Sequence, residues 1–173
     1  MSKDIFSKLK LGDEITVDEY RKAIIAAHKS RTIISYLIWK NLKERYPQVD
    51  ADQFMIQTYR EFGRLSGEKW GEINSASEAL YKQSSKSGFL VFEQELIEYS
   101  EDYAQKNFKF CPHIEALKEL HATEEEMAFF CQEILSAGDY GNMDPHPCVQ
   151  LEFKKQIGAG DDHCEYCITR VKK

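Results

Sequence analysis

The stretch CVQLEFKKQIGAGDDHCEYCITRV, residues 148–171, is the clearest indication of the fold class. Apolar and polar residues alternate in CVQLEFKKQI and again in CEYCITRV, which is the period of a half-buried β-strand. The intervening GAGDDH is rich in residues that form turns. The pattern therefore predicts a terminal antiparallel hairpin with one face turned towards a core.

The segments before this hairpin show strand patterns and then helix patterns. FLVFEQELIEYS and NFKFC are rich in β-forming residues, with EDYAQK as a polar connection between them. HIEALKELHA follows Pro112, and Thr123 with Glu126 forms a capping box ahead of MAFFCQEIL, so both segments are typical of short helices. AGDYGNMDPHP is dense in turn residues and predicts a loop.

The first half of the chain has the period of amphipathic helices. Thr16 with Glu19 predicts a capping box at the start of a long helix, which Pro47 should end. The apolar face that we expect to be buried consists of Tyr20, Ile24, Ala27, Ile34, Leu37, Ile38 and Leu42.

Two further helices should follow. Asp50 with Gln53 predicts the capped start of the second helix. Gly63 and Gly67 fall inside it or near its end, where we expect a bend or a short connector. The third helix should span residues 75–87.

This order of elements predicts an α+β fold, with a helical N-terminal half followed by a small antiparallel sheet covered by helices. A chain of 173 residues suits one domain. We therefore expect a single domain over residues 1–173, with a helical portion at 1–88 and a β-rich portion at 89–173.

Composition and charge limit the kinds of partner that the protein is expected to bind. The net charge is −6 and no basic stripe is interleaved with aromatic residues, which argues against nucleic acid. No apolar run reaches the roughly 18 residues of a membrane span. MSKDIFSKLKLGDE lacks the features of an export signal, so we expect a cytoplasmic protein. A small-molecule substrate is the expected partner, and the sequence is compatible with a homo-oligomer.

All five cysteines lie from residue 111 onward. The odd number and the missing signal favour reduced thiols over disulfides. Thiolate and imidazole are ligands that zinc prefers, so CPH and HCEYC could bind a divalent metal. In a strand, however, Cys164 and Cys167 project to opposite faces and could not share it. The candidate ligands are Cys111, His113, His163 and Cys164, although nothing in the sequence requires a cofactor.

A second interpretation is nucleophilic or acid–base catalysis. A thiolate beside an imidazole, such as Cys164 with His163 or Cys131 with His146, would be reactive. Carboxylates are available to orient a base or activate water: Glu115, Glu133, Asp139, Asp144, Asp161 and Asp162. The alternative for any of the cysteines is simple packing in the core.

The order of motifs over residues 85–171 resembles the L-2-amino-thiazoline-4-carboxylic acid hydrolase family. A strand ends in Cys111 within FKFCPHIEALKEL, a helix carries Cys131 within MAFFCQEIL, and a proline-containing loop, YGNMDPHP, follows. The closing element of the family has a Gly, an acid or Ser, a Cys and an aromatic residue, matched here by Gly160, Asp161, Cys164 and Tyr166.

The resemblance implies ring opening of a small cyclic amidine-like thiazoline carboxylate by water, which gives an N-carbamoyl cysteine. It also implies a pocket that contains the candidate catalytic residues Cys111, Glu115, Cys131 and Cys164, with His113 and His163 as neighbours. A cationic group should hold the substrate carboxylate. We expect Cys148 and Cys167 to lie outside this pocket.

Two positions depart from the family pattern. Ile134 stands where an Asp usually follows the helical Cys by three residues, and only Lys154 or Lys155 can supply the basic residue of the penultimate strand. The competing interpretation is a non-catalytic module that binds a small ligand or a metal in the same pocket.

Overall fold

A computed structural model describes residues 15–171 of the chain. The segment MSKDIFSKLKLGDE, on which the expectation of no export signal rests, lies outside the described residues. Within the described part, no helix is both long enough and apolar enough to cross a membrane.

The first half is helical, as predicted. Its helices are α1 (Val17–Arg45), α2 (Ala51–Gly67), α3 (Ala76–Gln83) and α4 (Lys86–Val91), with a 3₁₀ turn at Glu68–Trp70.

The second half contains the sheet and three more helices. Its elements are β1 (Gln94–Tyr99), β2 (Tyr103–Phe108), α5 (Pro112–Glu119), α6 (Glu124–Phe129), a π-helical segment (Phe130–Leu135), α7 (Ser136–Met143), β3 (Val149–Lys155), a 3₁₀ turn (Ile157–Ala159) and β4 (Cys164–Arg170).

The four strands form one antiparallel sheet in the order β1-β2-β4-β3. The α+β prediction is therefore confirmed, and so is the terminal hairpin, in which Leu151 pairs with Ile168. β4 lies between β2 and β3, so its start is covered by neighbouring strands on both sides. Phe108 of β2 pairs with Cys164 at that point.

The inner face of the sheet packs against α3. Tyr166 and Ile168 of β4 are fully buried there, beside Ala104 of β2 and Ala79 and Leu80 of α3. Because side chains alternate along a strand, Cys164 shares this inner face and Cys167 does not. The sheet thus directs the side chain at the start of β4 towards the helices.

The first helix begins as predicted and buries a different face. Thr16 Oγ1 accepts a hydrogen bond from the Glu19 N–H at 3.2 Å, which completes one side of the capping box. Ile34 is 60% exposed, whereas the buried residues include Tyr36 and Trp39. The predicted apolar face of α1 is therefore wrong.

The face of α1 that is buried carries aromatic residues whose polar atoms form hydrogen bonds. Tyr36 Oη donates to Glu126 at 2.8 Å, and Trp39 Nε1 donates to Asp52 at 2.6 Å. These bonds let large amphipathic rings pack inside while their polar atoms keep partners. The periodicity of apolar residues does not show which aromatic side chains will find hydrogen-bond partners in the core.

The two glycines of α2 have different surroundings: α2 is continuous through Gly63, whereas the short connector expected here, a 3₁₀ turn, begins directly after Gly67. The helix runs unbroken to Gly67, and Gly63 lies where α2 meets α7. A Cβ atom on Gly63 would lie 1.9 Å from the carbonyl oxygen of Gly138, and one on Gly141 would lie 2.1 Å from that of Arg60. The backbones of the two helices are therefore in direct contact, which only glycine allows.

AGDYGNMDPHP is mostly helical, which corrects the predicted loop. Residues 136–143 form α7, continuous with α6 and the π-helical segment. Glycine disfavours a helix when the segment is considered alone. Here the close contact with α2 uses those glycines, so tertiary packing overrides the local preference.

Smaller boundary errors concern residues 75–110. The helix predicted over residues 75–87 ends at Gln83, and a new helix, capped by Ser85, begins at Lys86. The strand predicted in FLVFEQELIEYS begins only at Gln94. EDYAQK is not a connection, because most of it belongs to β2.

The glycine contact generates a stability prediction. We expect Gly63→Ala to lower the free energy of unfolding by about 1–3 kcal/mol or more, because its methyl group would collide with the α7 backbone. Gly138→Ala is the matched control, since its Cβ would meet nothing closer than 3.5 Å. Urea unfolding of both variants checks this, and equal stabilities would contradict the packing described here.

Candidate functional site

A cavity of about 450 Å³ lies between α1, α2, α7 and the start of the sheet. Its wall combines thiols, a carboxyl group, a guanidinium group and two imidazoles. Ser136 and Gln156 add neutral polar atoms, while Phe62, Phe92 and Phe153 supply apolar surface.

Cys111, Cys131 and Cys164 all line this cavity. Cys111 precedes α5, Cys131 lies in the π-helical segment, and Cys164 begins β4. All five cysteines of the chain are free. The structure thus brings together three cysteines that are separated by 20 and 33 residues in the sequence.

The other two cysteines lie elsewhere, as expected. The Cys148 thiol donates to the Ile73 carbonyl at 3.0 Å and borders a second cavity, of about 520 Å³. Cys167 accepts a hydrogen bond from the Tyr103 hydroxyl at 3.3 Å. Neither residue lines the cavity that holds the other three cysteines.

Local backbone features place the thiols. A Cβ atom on Gly158 would lie 2.3 Å from the Cβ of Cys131, so glycine is what leaves room for this cysteine. The Cys164 sulfur accepts the Ile157 N–H at 3.3 Å. The 3₁₀ turn before β4 therefore orders two of the three cysteines.

Burial keeps the three thiols protonated. Desolvation raises the pKa of Cys111 to about 11 and that of Cys164 to about 12. The pKa of Cys131 is raised further, again mainly by burial and then by its proximity to Cys111 and Cys164. At neutral pH the cavity therefore presents thiols and not thiolates.

Asp139 is the carboxyl group of the cavity. In an α-helix, residues eight positions apart lie about 80° apart around the axis. The π-helical segment contains one extra residue, which brings Asp139 to within about 20° of the side of Cys131. This insertion is why both residues reach one cavity although Ile134 occupies the position where the family pattern expects the acid.

The environment of Asp139 raises its pKa to about 6. Burial is the main cause, and it is opposed by Lys106, by a hydrogen bond from Gln83 and by Arg31. Gln83 Nε2 donates to Asp139 Oδ1 at 3.2 Å. A carboxyl group with this pKa can both accept and release a proton near neutral pH.

Lys106 lies behind Asp139 on the inner face of β2. Its side chain has no exposed surface, and its ammonium donates to Gln83 Oε1 and, at 2.9 Å, to Ser84 Oγ. The ammonium also lies 5.4 Å from the ring centre of Tyr166. Burial lowers the pKa of Lys106 to about 7, although the negative charge of Asp139 opposes the shift.

Arg31, His28 and His113 form a basic part of the cavity wall. The Arg31 guanidinium lies 3.2 Å from His28 Nδ1 and 3.4 Å from His113 Nε2. Arg31 itself is exposed, so its remaining N–H groups are free to meet a ligand. The cavity wall therefore has a cationic group on α1, a position that the sequence did not indicate because helical periodicity does not mark it.

Hydrogen bonds fix the tautomer of His113. Thr32 Oγ1 donates to the His28 carbonyl at 3.0 Å, so it accepts from His113 Nδ1, 2.6 Å away. The lone pair of His113 then resides on Nε2, the atom nearest Arg31. Burial and the nearby Arg31 lower the pKa of His113 well below its usual value, so this ring is neutral.

Several residues predicted for the site lie outside it. Glu115 pairs with Lys118 at 2.9 Å, and His163 contacts Asp162 and Glu165. None of these residues lines the cavity.

The two candidate basic residues of the penultimate strand also lie elsewhere. Lys154 donates to the Tyr103 hydroxyl, and Lys155 pairs with Glu165. Neither supplies the cationic group of the cavity, which corrects that expectation.

The metal-binding hypothesis finds no geometric support. Across residues 15–171, no three His, Cys, Asp or Glu side chains are grouped so that they could hold a metal ion. His113 lines the cavity with Cys111 and Cys164, whereas His163 does not. The proposed set of four ligands is therefore not assembled.

Two acceptors in the cavity wall have no partner. Gln94 Oε1 and Asn142 Oδ1 are buried and receive no hydrogen bond in the structure. Unpaired buried acceptors are uncommon, because each loses its hydration without replacement.

A model of the L-2-amino-thiazoline-4-carboxylic acid hydrolase family matches residues 27–168 of the chain. The match spans every residue that lines the cavity, from His28 to Cys164. No curated protein matches the chain.

The thiol environment gives a direct prediction. We expect Cys111 and Cys164 to react slowly with iodoacetamide at pH 7, and their rates to rise about tenfold per pH unit up to about pH 10, because only the thiolate reacts. Peptide mass spectrometry after timed labelling measures each site, with urea-unfolded protein as the control. Rates that level off below pH 8 would show an activated thiolate and contradict this assignment.

Proposed function

The chain belongs to the L-2-amino-thiazoline-4-carboxylic acid hydrolase family, and we propose that it opens a small cyclic amidine carboxylate of the thiazoline type by adding water. Family membership supports a hydrolase-like function in general. The more specific proposal, ring opening of a cyclic amidine carboxylate, rests on Asp139. This carboxyl group has a pKa of about 6 and shares one cavity with Arg31.

Arg31 is the group suited to bind the substrate carboxylate. Its planar guanidinium can donate two parallel N–H bonds to a carboxylate, which fixes both position and orientation. His28 and His113 already accept from one nitrogen of Arg31, so the guanidinium is held in place before a ligand arrives. Neutral imidazoles leave its positive charge uncompensated.

The amidine group of such a substrate would suit the unpaired acceptors of Gln94 and Asn142 if binding rotated these side chains into the cavity, because neither oxygen has exposed surface in the structure. A cyclic amidine carries N–H donors on its exocyclic nitrogen, and Gln94 Oε1 and Asn142 Oδ1 are buried acceptors of the same cavity. Bonds to these atoms would replace lost hydration. They would also favour an amidine over an ester or a thioester, which has no N–H to offer.

Asp139 acts as the base in the reaction. It takes a proton from water as the water oxygen bonds to the amidine carbon, and the electron pair of the C=N bond moves to the ring nitrogen. The carbon–sulfur bond then breaks as the carbonyl forms. Of the two water protons, one reaches the ring nitrogen and the other the departing sulfur, so the product is an N-carbamoyl thiol. Asp139 is regenerated.

The three cysteines contact the substrate as neutral groups. Since their pKa values lie far above 7, attack by a thiolate would first require removal of a firmly held proton. Water is the nucleophile that this cavity favours. The thiols supply a polarisable wall and weak S–H donors close to the reacting atoms.

The first prediction of this proposal concerns the base. Asp139→Asn should lower kcat by about 10²–10⁴-fold with 2-amino-thiazoline-4-carboxylate, while ligand-dependent stabilisation persists. Glu61→Gln, a surface carboxylate paired with Arg64, is the control.

In the wild type, activity should rise with pH through about 6, because only the ionised carboxylate of Asp139 accepts a proton. Stabilisation by the ligand without any turnover in the wild type would favour a binding module instead.

The second prediction concerns the anchor. Arg31→Met should raise KM by about tenfold or more and change kcat much less, because the lost bond to the carboxylate is present in both the ground and the transition state. Lys22→Met removes an exposed cation from the same helix and is the matched control. An unchanged KM in the Arg31 variant would remove Arg31 from the substrate site.

A further inference from the structure

Lys106 is a fully buried lysine that does not line the cavity. Burying an ammonium is unfavourable unless it has strong partners. Its partners are the side-chain oxygens of Gln83 and Ser84, together with the faces of aromatic rings. Among the described residues it makes no direct ion pair, so a simple salt bridge does not explain its presence.

Gln83 links this ammonium to the cavity. A glutamine amide has an acceptor end and a donor end, whereas an ammonium can only donate. In its protonated form, Lys106 therefore fixes the oxygen of Gln83 towards itself. The amide nitrogen must then point the other way, where it donates to Asp139 Oδ1 at 3.2 Å.

This arrangement distinguishes the two oxygens of Asp139. Oδ1 accepts from Gln83, and no described residue donates to Oδ2. We propose that Lys106 is a positioning residue, which acts through Gln83 to hold Asp139 Oδ1 and leave Oδ2 as the oxygen that takes the proton from water. The inference rests on the proposed role of Asp139 as the base.

The same link favours the ionised carboxylate. A nearby positive charge and a donated hydrogen bond both stabilise the charged form, so they oppose the effect of burial. The charged or titratable groups that influence Asp139 come from several elements: Arg31, Lys106, Cys111, Cys131, Tyr140, Cys164 and Tyr166. Of the two cations in this set, only Lys106 reaches Asp139 through a continuous chain of hydrogen bonds.

The test is a titration of the Asp139 carboxyl carbon, followed by ¹³C NMR in the full chain. We expect its pKa to rise by about one unit in both Lys106→Met and Gln83→Leu, because each variant removes support for the charged form. Lys109→Met removes an exposed lysine directly after β2, paired with Glu95, and should leave the titration unchanged.

Gln83→Leu keeps the test decisive if Lys106→Met fails to fold, because Gln83 is only partly buried at the end of α3. An unchanged Asp139 titration in the Gln83 variant would overturn the inference. Activity separates this outcome from the proposed function. If the Asp139 titration shifts in the Lys106 and Gln83 variants but Asp139→Asn keeps full turnover, the link from Lys106 to Asp139 stands and Asp139 is not the base.

Discussion

The direct backbone contact between α2 and α7 is the constraint on which the site depends. Gly63 and Gly141 bring the two helices closer than any side chain would permit. This contact stabilises a glycine-rich segment as a helix, and the π-helical segment before it sets the rotation of that helix. Asp139 reaches the cavity because both conditions are met.

Burial and neighbouring charges give the groups of the cavity different protonation states. Desolvation raises the pKa of each thiol, so the cysteines stay neutral, whereas Lys106, Gln83 and Arg31 keep Asp139 within reach of its ionised form. Groups with such different proton affinities in one small space suit general acid–base chemistry. Arg31, the cationic group of the cavity wall, lies at the exposed side of the cavity.

The sequence predicts what depends on local patterns. Capping residues such as Thr16 locate helix starts, strand alternation separates Cys164 from Cys167, and the order of elements determines the α+β class. The glycines of α7 suggest a loop when the segment is read alone. They are compatible with a helix only because of the contact with α2, which is distant in the sequence. Arg31 carries no local signal either, since its proposed role depends on the place where α1 approaches α5 through His113.

The proposed function requires that one ligand contact both Arg31 and Asp139. A crystal structure of the Asp139→Asn variant with 2-amino-thiazoline-4-carboxylate tests it most directly. We expect the carboxylate on the Arg31 guanidinium and the amidine carbon beside the substituted residue. A ligand bound instead in the cavity beside Cys148, or with its carboxylate away from Arg31, would rule out the proposed binding mode.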